Sequence, residues 1–168
     1  MQITTIDAKL ETSKPRPFVG YYESPIGLIE IGGMPEGIAS LYFVERRRYE
    51  VALNAVVEAG IEQIGEYFHG TRRVFDLPIV LQGTEFQRLV WQQLLTIPFG
   101  STASYQEIAD GIARPQAVRA VGAANGQNPV SIIVPCHRVI GSDKSLTGYG
   151  GGLWRKEWLL RHEGGLLL

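Results

Sequence analysis

The chain contains a single cysteine, Cys136, and the two residues that follow it, His137 and Arg138, could activate its thiol. The thiolate is the nucleophilic form of cysteine, and a nearby imidazole or guanidinium favours that form. An imidazole that takes a thiol proton is usually oriented by a third group, and Glu163 is one of few carboxylates in this part of the chain. These residue types predict a nucleophilic cysteine with His137 as its base and Glu163 as the partner of that base.

Each of these residues also has a purely structural interpretation. A lone cysteine is most often a small buried side chain, and a histidine beside it can be a hydrogen-bonded core residue. For Arg138 a surface ion pair or a bond to a backbone carbonyl is the favoured interpretation. Neighbours in an extended chain point to opposite sides, so His137 needs a turn or a bridging water to reach Cys136.

The segment before the cysteine predicts how the thiol is held. Ile132, Ile133 and Val134 form a continuous apolar run, which indicates a buried segment. Pro135 disfavours helical backbone at Val134, so we expect an extended stem that carries Cys136 out of the core.

Residues 146–152, with the sequence Leu-Thr-Gly-Tyr-Gly-Gly-Gly, precede a predicted helix that contains Trp154 and Lys156. No phosphate-binding glycine motif is present there. We expect a flexible wall at which a flat ring can approach backbone amides, and an ordinary surface loop is the alternative.

The elements upstream of the cysteine are predicted to be mainly helical. Two capping boxes mark helix starts, and they are the pairs Thr84/Gln87 and Ser104/Glu107. The first helix has an apolar stripe formed by Phe86, Leu89, Val90, Leu94 and Ile97. The second runs roughly from Tyr105 to Ile112, and Pro115 lies near the first turn of a third. Two short helices joined by a tight turn are a candidate helix-turn-helix, although helix pairs are common in any core.

The amino-terminal part has a different character. Three short apolar or alternating runs predict an antiparallel meander, and they are 18–22, 27–31 and 38–44. Residues 49–68 predict one or two helices interrupted near Gly60. We therefore predict an α/β chain of the α+β type, with a supporting lobe at 1–78 and a mainly helical lobe, which carries Cys136, at 79–168.

Composition excludes several classes of protein. The 168 residues are 45% hydrophobic and 20% charged with a net charge of −1, which excludes a disordered tail and a binder of polyanions through bulk charge alone. Charge is unevenly distributed along the chain, with eight basic and eleven acidic residues in 1–78 against eight basic and six acidic residues in 79–168.

One cysteine allows no internal disulfide, and no metal-ligand spacing is present. Asp7, Lys9 and Glu11 interrupt any signal-peptide core, so we expect a cytoplasmic protein with no membrane span.

Together these motifs resemble one family. The segment 133–140 reads Ile-Val-Pro-Cys-His-Arg-Val-Ile. It is preceded by residues 119–122 and by Asn128-Pro129, and it is followed by residues 146–152 and 156–164. In order and spacing these segments resemble those of the O6-alkylguanine-DNA alkyltransferases. The resemblance covers about residues 84–164, with a looser likeness before them. It implies a two-lobe protein that takes the alkyl group from O6-alkylguanine, and possibly O4-alkylthymine, in DNA onto its own cysteine, irreversibly and once per molecule.

The resemblance also implies roles for individual residues. Cys136 would be the acceptor, His137 and Glu163 would draw its proton through a water, Tyr105 would donate to guanine N3, and Asn128 would brace the acceptor turn. A helix in the minor groove would carry Arg119, which fills the stack left by the flipped nucleotide. The other residues of the expected DNA surface are Pro115, Gln116, Ala120, Gly122 and Ala124. The expected substrate pocket adds Ser131, Val139, Tyr149 and Gly150, where Gly150 replaces a serine of some relatives.

The expected partner is double-stranded DNA, and we expect a monomer with no cofactor, no metal and no obligate protein partner. The single thiol also excludes a second acceptor for phosphotriester repair. Three alternatives remain open at this point: a lesion-recognition module without transfer, a thiol hydrolase built on Cys136, His137 and Glu163, and a plain helix-turn-helix regulator.

Overall fold

The computed structural model describes residues 1–7 and 16–166, which form two compact units, Met1–Gly83 and Thr84–Leu168. Lys9 and Glu11, used above against a signal peptide, lie outside the described residues. The boundary follows residue 83 because strand β5, Ile79–Gly83, pairs with two strands of the first unit. No helix in the described part of the chain is long and apolar enough to cross a membrane.

The part of the first unit that the structure describes is a five-stranded sheet with one helix. Its elements are β1 (Ile3–Asp7), β2 (Phe18–Ser24), β3 (Gly27–Met34), β4 (Gly37–Val44), α1 (Ala55–Phe68) and β5. The strand order is β1-β5-β4-β3-β2. The predicted antiparallel meander is confirmed in β2, β3 and β4, whereas β5 pairs in parallel with both β1 and β4. The fold class is therefore confirmed, and the sheet is larger and more mixed than expected.

Helix α1 is continuous, so the predicted break near Gly60 was wrong. A Cβ on Gly60 would lie 3.1 Å from the Cδ1 atom of Ile38 in the sheet. The glycine therefore lets the helix approach the strands closely, and its cost in helix propensity is offset by the packing of α1 on the sheet. The helix begins at residue 55 because the side chain of Asn54 accepts the Val57 amide at 2.9 Å.

Over its described residues, the second unit consists of four α-helices, one 3-10 helix and a two-stranded parallel sheet. Its elements are α2 (Glu85–Leu94), β6 (Ala103–Ser104), α3 (Tyr105–Gly111), α4 (Val118–Gly126), a 3-10 helix (Cys136–Arg138), β7 (Val139–Ile140) and α5 (Leu153–Glu163). Both predicted capping boxes are present, at the starts of α2 and α3. The pairing of β6 with β7 places the start of α3 beside the chain that leaves the 3-10 helix.

Two predicted details of these helices differ from the structure. Val90, Trp91 and Leu94 form the buried face of α2, while Leu89 is exposed. The indole of Trp91 is buried because its Nε1–H donates to the Ala124 carbonyl of α4 at 2.8 Å. Pro115 lies in the turn before α4 and not in its first helical turn, since the helix begins at Val118.

Candidate active site

Cys136 lies at the start of the 3-10 helix and its side chain is buried, with 4% of the residue exposed. The extended stem predicted before it was wrong. Residues 130–134 form a turn in which Ile132 has a φ of 70°, a left-handed conformation that is strained for a β-branched residue. The predicted burial of Ile132, Ile133 and Val134 is confirmed.

Asn128 holds this turn in place. Its Nδ2 donates to the Val134 carbonyl at 2.8 Å, and its Oδ1 accepts the Val130 amide at 3.0 Å. The side chain is itself buried, so it satisfies backbone groups that have no access to water. A rigid turn of this kind fixes where the next residues, including the thiol, are placed.

His137, Arg138 and Glu163 form a buried cluster. Nε2 of His137 lies 2.7 Å from Oε1 of Glu163, and Nε of Arg138 donates to Oε2 of the same carboxylate at 2.8 Å. A second guanidinium nitrogen of Arg138 donates to the Ile97 carbonyl at 2.7 Å. We expected an ion pair at the surface or a bond to a backbone carbonyl for Arg138. Arg138 makes both an ion pair and a carbonyl bond, but the ion pair is buried.

The cluster determines the protonation of its members. Burial raises the pKa of Glu163, but the hydrogen bonds and charges of His137 and Arg138 outweigh burial and hold that pKa well below its usual range. Burial lowers the pKa of His137, and the bond to Glu163 opposes this only in part. A neutral imidazole that donates Nε2–H to Glu163 leaves Nδ1 as an acceptor. Nδ1 is buried and has no hydrogen-bond partner among the described residues.

The thiol is not activated by Arg138, contrary to the sequence argument, because Glu163 already neutralises that guanidinium. Burial raises the pKa of Cys136 above its usual value. Three groups oppose the rise: a hydrogen bond from Asn128, the positive charge of Lys156, and backbone amides that include that of His137. The resting side chain is therefore a thiol whose surroundings are prepared for a thiolate.

Lys156 is the main feature that sequence reasoning missed. Its side chain is fully buried, and Nζ donates to the Val139 carbonyl at 2.5 Å and to the Thr147 carbonyl at 2.7 Å. Burial lowers its pKa to about 8. Helical spacing places Lys156 on the same face of α5 as Leu159, Leu160 and Glu163, and a lysine on a buried face was the available signal.

The residues expected to line the pocket converge on this network. The hydroxyl of Tyr105, at the start of α3, donates to the same Thr147 carbonyl at 3.0 Å. The hydroxyl of Tyr149 is buried and makes no hydrogen bond of normal geometry to any residue that the structure describes. Burial raises the pKa of Tyr149, and the nearby Ser131 side chain opposes this. Gly150 is exposed, and a Cβ on it would lie 3.9 Å from the Gly126 carbonyl oxygen of α4.

The expected DNA surface divides into two sets. Arg119 and Ala120 on α4 are exposed, as are Pro115 and Gln116 in the preceding turn. Gly122 is half-buried, and a Cβ there would touch the ring of Tyr105. Ala124 is buried against Trp91, so its methyl group is not on the exposed face of the helix.

Asn125 is a second residue that the sequence analysis did not single out. It is 2% exposed, and its Nδ2 lies 3.4 Å from the Cys136 carbonyl oxygen. Its Oδ1 has no hydrogen-bond partner among the described residues. Asn125 thus links the end of α4 to the 3-10 helix.

The chain is similar to known proteins over most of its length. The family described as "6-O-methylguanine DNA methyltransferase, DNA binding domain" matches residues 85–165. The methylated-DNA–protein-cysteine methyltransferase of Mycolicibacterium paratuberculosis is 49% identical over 147 residues, which cover 84% of this chain and 88% of that protein.

Two solved structures from Mycobacterium tuberculosis are also similar. The O6-methylguanine methyltransferase is 46% identical with a TM-score of 0.78, covering 88% of this chain and 93% of that chain. The protein named OGT, solved in complex with DNA, is 47% identical with a TM-score of 0.79, covering 86% and 92%. Because relatives of nearly half identity span most of both chains, this protein belongs to the family of methylated-DNA–protein-cysteine methyltransferases, as the sequence motifs predicted.

Proposed function

We propose that this protein repairs O6-alkylguanine in double-stranded DNA by moving the alkyl group onto its own Cys136. The observation that carries the proposal is the environment of the thiol. Cys136 is buried on a turn braced by Asn128. It adjoins a buried lysine charge and a histidine whose Nδ1 has no hydrogen-bond partner in the described part of the chain. Such a site supplies a nucleophile, a proton acceptor and electrostatic stabilisation together.

The transfer is a single displacement. The thiol proton passes through a water to Nδ1 of His137, and Glu163 stabilises the imidazolium that forms. The sulfur then attacks the alkyl carbon in line with the C–O6 bond, so that an S–C bond forms as the C–O bond breaks. Tyr105 turns its hydroxyl from the Thr147 carbonyl to guanine N3 and helps the purine leave as a neutral species. The carbonyls of Cys136 and Val139 accept the guanine amino group.

The product is a thioether, which has no polarised carbonyl for water to attack. Cys136 is therefore not regenerated, and each molecule acts once. The thiol provides the nucleophile, so the reaction requires no cofactor. We place the protein in the cytoplasm, where a single thiol stays reduced. We also propose that it acts as a monomer.

A buried thiol cannot reach a base inside a duplex, so the guanine must leave the stack. We assign α3 and α4 to a helix-turn-helix whose exposed face, with Arg119 and Ala120, enters the minor groove. Arg119 is exposed and would occupy the space that the flipped nucleotide leaves. Pro115, Gln116 and Gly122 complete this surface, and Ala124 supports it from the core.

Intact-protein mass spectrometry tests the proposal directly. The protein is mixed with an equimolar duplex that carries one O6-methylguanine, alongside Cys136→Ser. We expect one added methyl group on the wild type, mapped to Cys136 and absent from the variant. Bound duplex with no gain in mass would identify a lesion-recognition module instead, and covalent turnover of activated esters would identify a thiol hydrolase.

A further inference from the structure

Three buried side-chain polar atoms have no hydrogen-bond partner among the residues that the structure describes, and all three lie around the thiol. They are Oδ1 of Asn125, Nδ1 of His137 and the hydroxyl of Tyr149. His137 directly follows Cys136, and Asn125 contacts the Cys136 carbonyl at 3.4 Å. Burial, together with the charge of an ionised Cys136, raises the pKa of Tyr149, which places Tyr149 near the thiol as well. Buried polar groups are nearly always paired, so three unpaired ones around one thiol indicate a place for a polar ligand.

Asn125 is the member of this set that the proposed function leaves without a role. It lies in the last turn of α4, and 2% of the residue is exposed. Its Nδ2 donates to the Cys136 carbonyl, and Oδ1 belongs to the same planar amide group, so Oδ1 is held beside that carbonyl. An amide oxygen can accept two hydrogen bonds, and an acceptor left unpaired in a protein core is costly. The fold thus keeps an acceptor beside Cys136 that no described residue satisfies.

The amino group of guanine is a donor that needs such an acceptor. In the proposed function it is received by the carbonyls of Cys136 and Val139, and both carbonyls already have donors in the folded chain. The Cys136 carbonyl accepts the Val139 amide and Nδ2 of Asn125. The Val139 carbonyl accepts Nζ of Lys156 at 2.5 Å. Since a carbonyl oxygen has two lone pairs, the two oxygens together offer at most one free lone pair to an amino group with two N–H bonds.

The unpaired atoms differ in what they can do. The hydroxyl of Tyr149 can donate as well as accept, whereas Oδ1 of Asn125 and Nδ1 of a neutral His137 can only accept. Two buried acceptors are thus available for two donors, which are the thiol and the amino group of the base. The proposed mechanism already uses Nδ1 of His137 for the thiol proton. Oδ1 of Asn125 therefore remains for the amino group.

We propose that Oδ1 of Asn125 accepts the 2-amino group of the flipped base and makes the site prefer O6-alkylguanine to O6-alkylhypoxanthine, which lacks that group. Asn125 is then a specificity residue, at the opposite end of α4 from the exposed Arg119. The inference rests on the proposed function, because it takes the surroundings of Cys136 to be the site of the flipped base.

The test compares two free bases that differ only in the amino group. The wild type, Asn125→Leu and Asn125→Ala react with O6-benzylguanine and with 6-benzyloxypurine, which is the same base without its 2-amino group. We expect the wild type to react faster with O6-benzylguanine, and we expect both variants to lose about tenfold of that preference, the effect of one hydrogen bond to a buried acceptor. The ratio of the two single-turnover rates is decisive, because both bases react with the same folded molecules and partial unfolding of a variant cancels.

Asn128→Ala is the matched control. Asn128 is also a buried asparagine, but its side chain bonds to the backbone of the turn at residues 130–134. Burial raises the pKa of Cys136 and the hydrogen bond from Asn128 opposes that rise, so its loss should slow the reaction with both bases. The preference for O6-benzylguanine should stay at the wild-type value.

Binding is measured separately in the Cys136→Ser background, where no transfer can occur. Matched duplexes carry either O6-methylguanine or O6-methylhypoxanthine at one position. Cys136→Ser should bind the first duplex more tightly, and the addition of Asn125→Leu should reduce this difference about tenfold.

A wild-type preference in both Asn125 variants would overturn the proposal and assign the side chain to support of the 3-10 helix. So would a wild type that reacts equally with the two bases, because the amino group would then not be read. If the wild type takes no alkyl group from O6-benzylguanine or from the methylated duplex, the proposed function fails. The two duplex affinities, with and without Asn125→Leu, still decide in that case whether Asn125 reads the amino group.

Discussion

At the scale of single residues, the site combines a buried thiol with groups that favour its ionised form. Burial alone makes Cys136 a poorer acid, which protects it from adventitious reaction. The opposing groups, Asn128 and Lys156, are also buried and act without screening by water. In the proposed mechanism the thiol must therefore lose its proton to a base, and His137 is the base we propose.

Lys156 predicts that the pH dependence of the reaction with free O6-benzylguanine flattens at alkaline pH. The rate should rise with pH as the thiol loses its proton, and the rise should flatten above about pH 8, because Lys156 then loses the charge that lowers the pKa of Cys136. Lys156→Met should show no such flattening and react about tenfold more slowly at pH 7.5, the effect of roughly one pKa unit on the thiol. Single-turnover rates between pH 6 and 9.5 provide the measurement.

Lys156→Arg is the matched variant, because arginine keeps its charge through this range. Its rate should continue to rise above pH 8. A wild-type rate that rises steadily to pH 9.5 would remove Lys156 from the electrostatic account and leave it as an anchor for the Val139 and Thr147 carbonyls.

At the scale of elements, α4 has two faces with different tasks. Val121, Ala124 and Asn125 are buried against the rest of the unit, and Arg119 and Ala120 are exposed. Small residues on the exposed face permit a close approach to a flat surface such as the floor of a groove. The side chain of Arg119 is long enough to reach into the base stack.

Arg119→Ala should separate duplex repair from chemistry. We expect the rate with free O6-benzylguanine to stay within twofold of wild type, since Arg119 is exposed on α4 whereas the side chains proposed for the chemistry are buried. The rate with an O6-methylguanine duplex should fall at least about tenfold, because the flipped state loses the side chain that stabilises it. Arg161→Ala, an exposed arginine on α5, is the control. A parallel loss on both substrates would contradict the assigned role.

At the scale of the whole molecule, stability is coupled to pH through the buried cluster. The pKa values of Glu163 and His137 are both lower in the folded chain than in the unfolded chain. Below about pH 6.5 the unfolded chain therefore binds more protons, and the free energy of unfolding falls as pH falls. Between pH 7 and pH 4 the loss should come mainly from His137, because the ordinary pKa of histidine lies within this range whereas that of glutamate lies at its lower end.

Urea denaturation at several pH values measures this dependence. His137→Gln should flatten it, whereas His69→Gln, which changes an exposed histidine of α1's carboxy-terminal cap, should leave it unchanged. Equal slopes for the wild type and His137→Gln would show that the cluster does not control acid stability.

The sequence by itself determined the family, the capping boxes and the antiparallel strands, and it singled out the cysteine that we propose as the acceptor. Each of these depends on residue types at short, fixed spacing, as in the Ser104/Glu107 pair at the start of α3. The sequence analysis did not predict strands β1 and β5. Their residues lie 72 or more positions apart in the chain, as Ile3 and Ile79 do, and only folding brings the two strands together as a parallel pair.

Only the tertiary structure decided which charges serve the thiol. In the sequence Arg138 is two residues from Cys136 and Lys156 is twenty residues away. In the fold, Glu163 of α5 forms an ion pair with Arg138. Lys156, on the buried face of the same helix, donates a hydrogen bond to the Val139 carbonyl near Cys136. Electrostatic partners are set by distance and burial in three dimensions, and neither follows from separation along the chain.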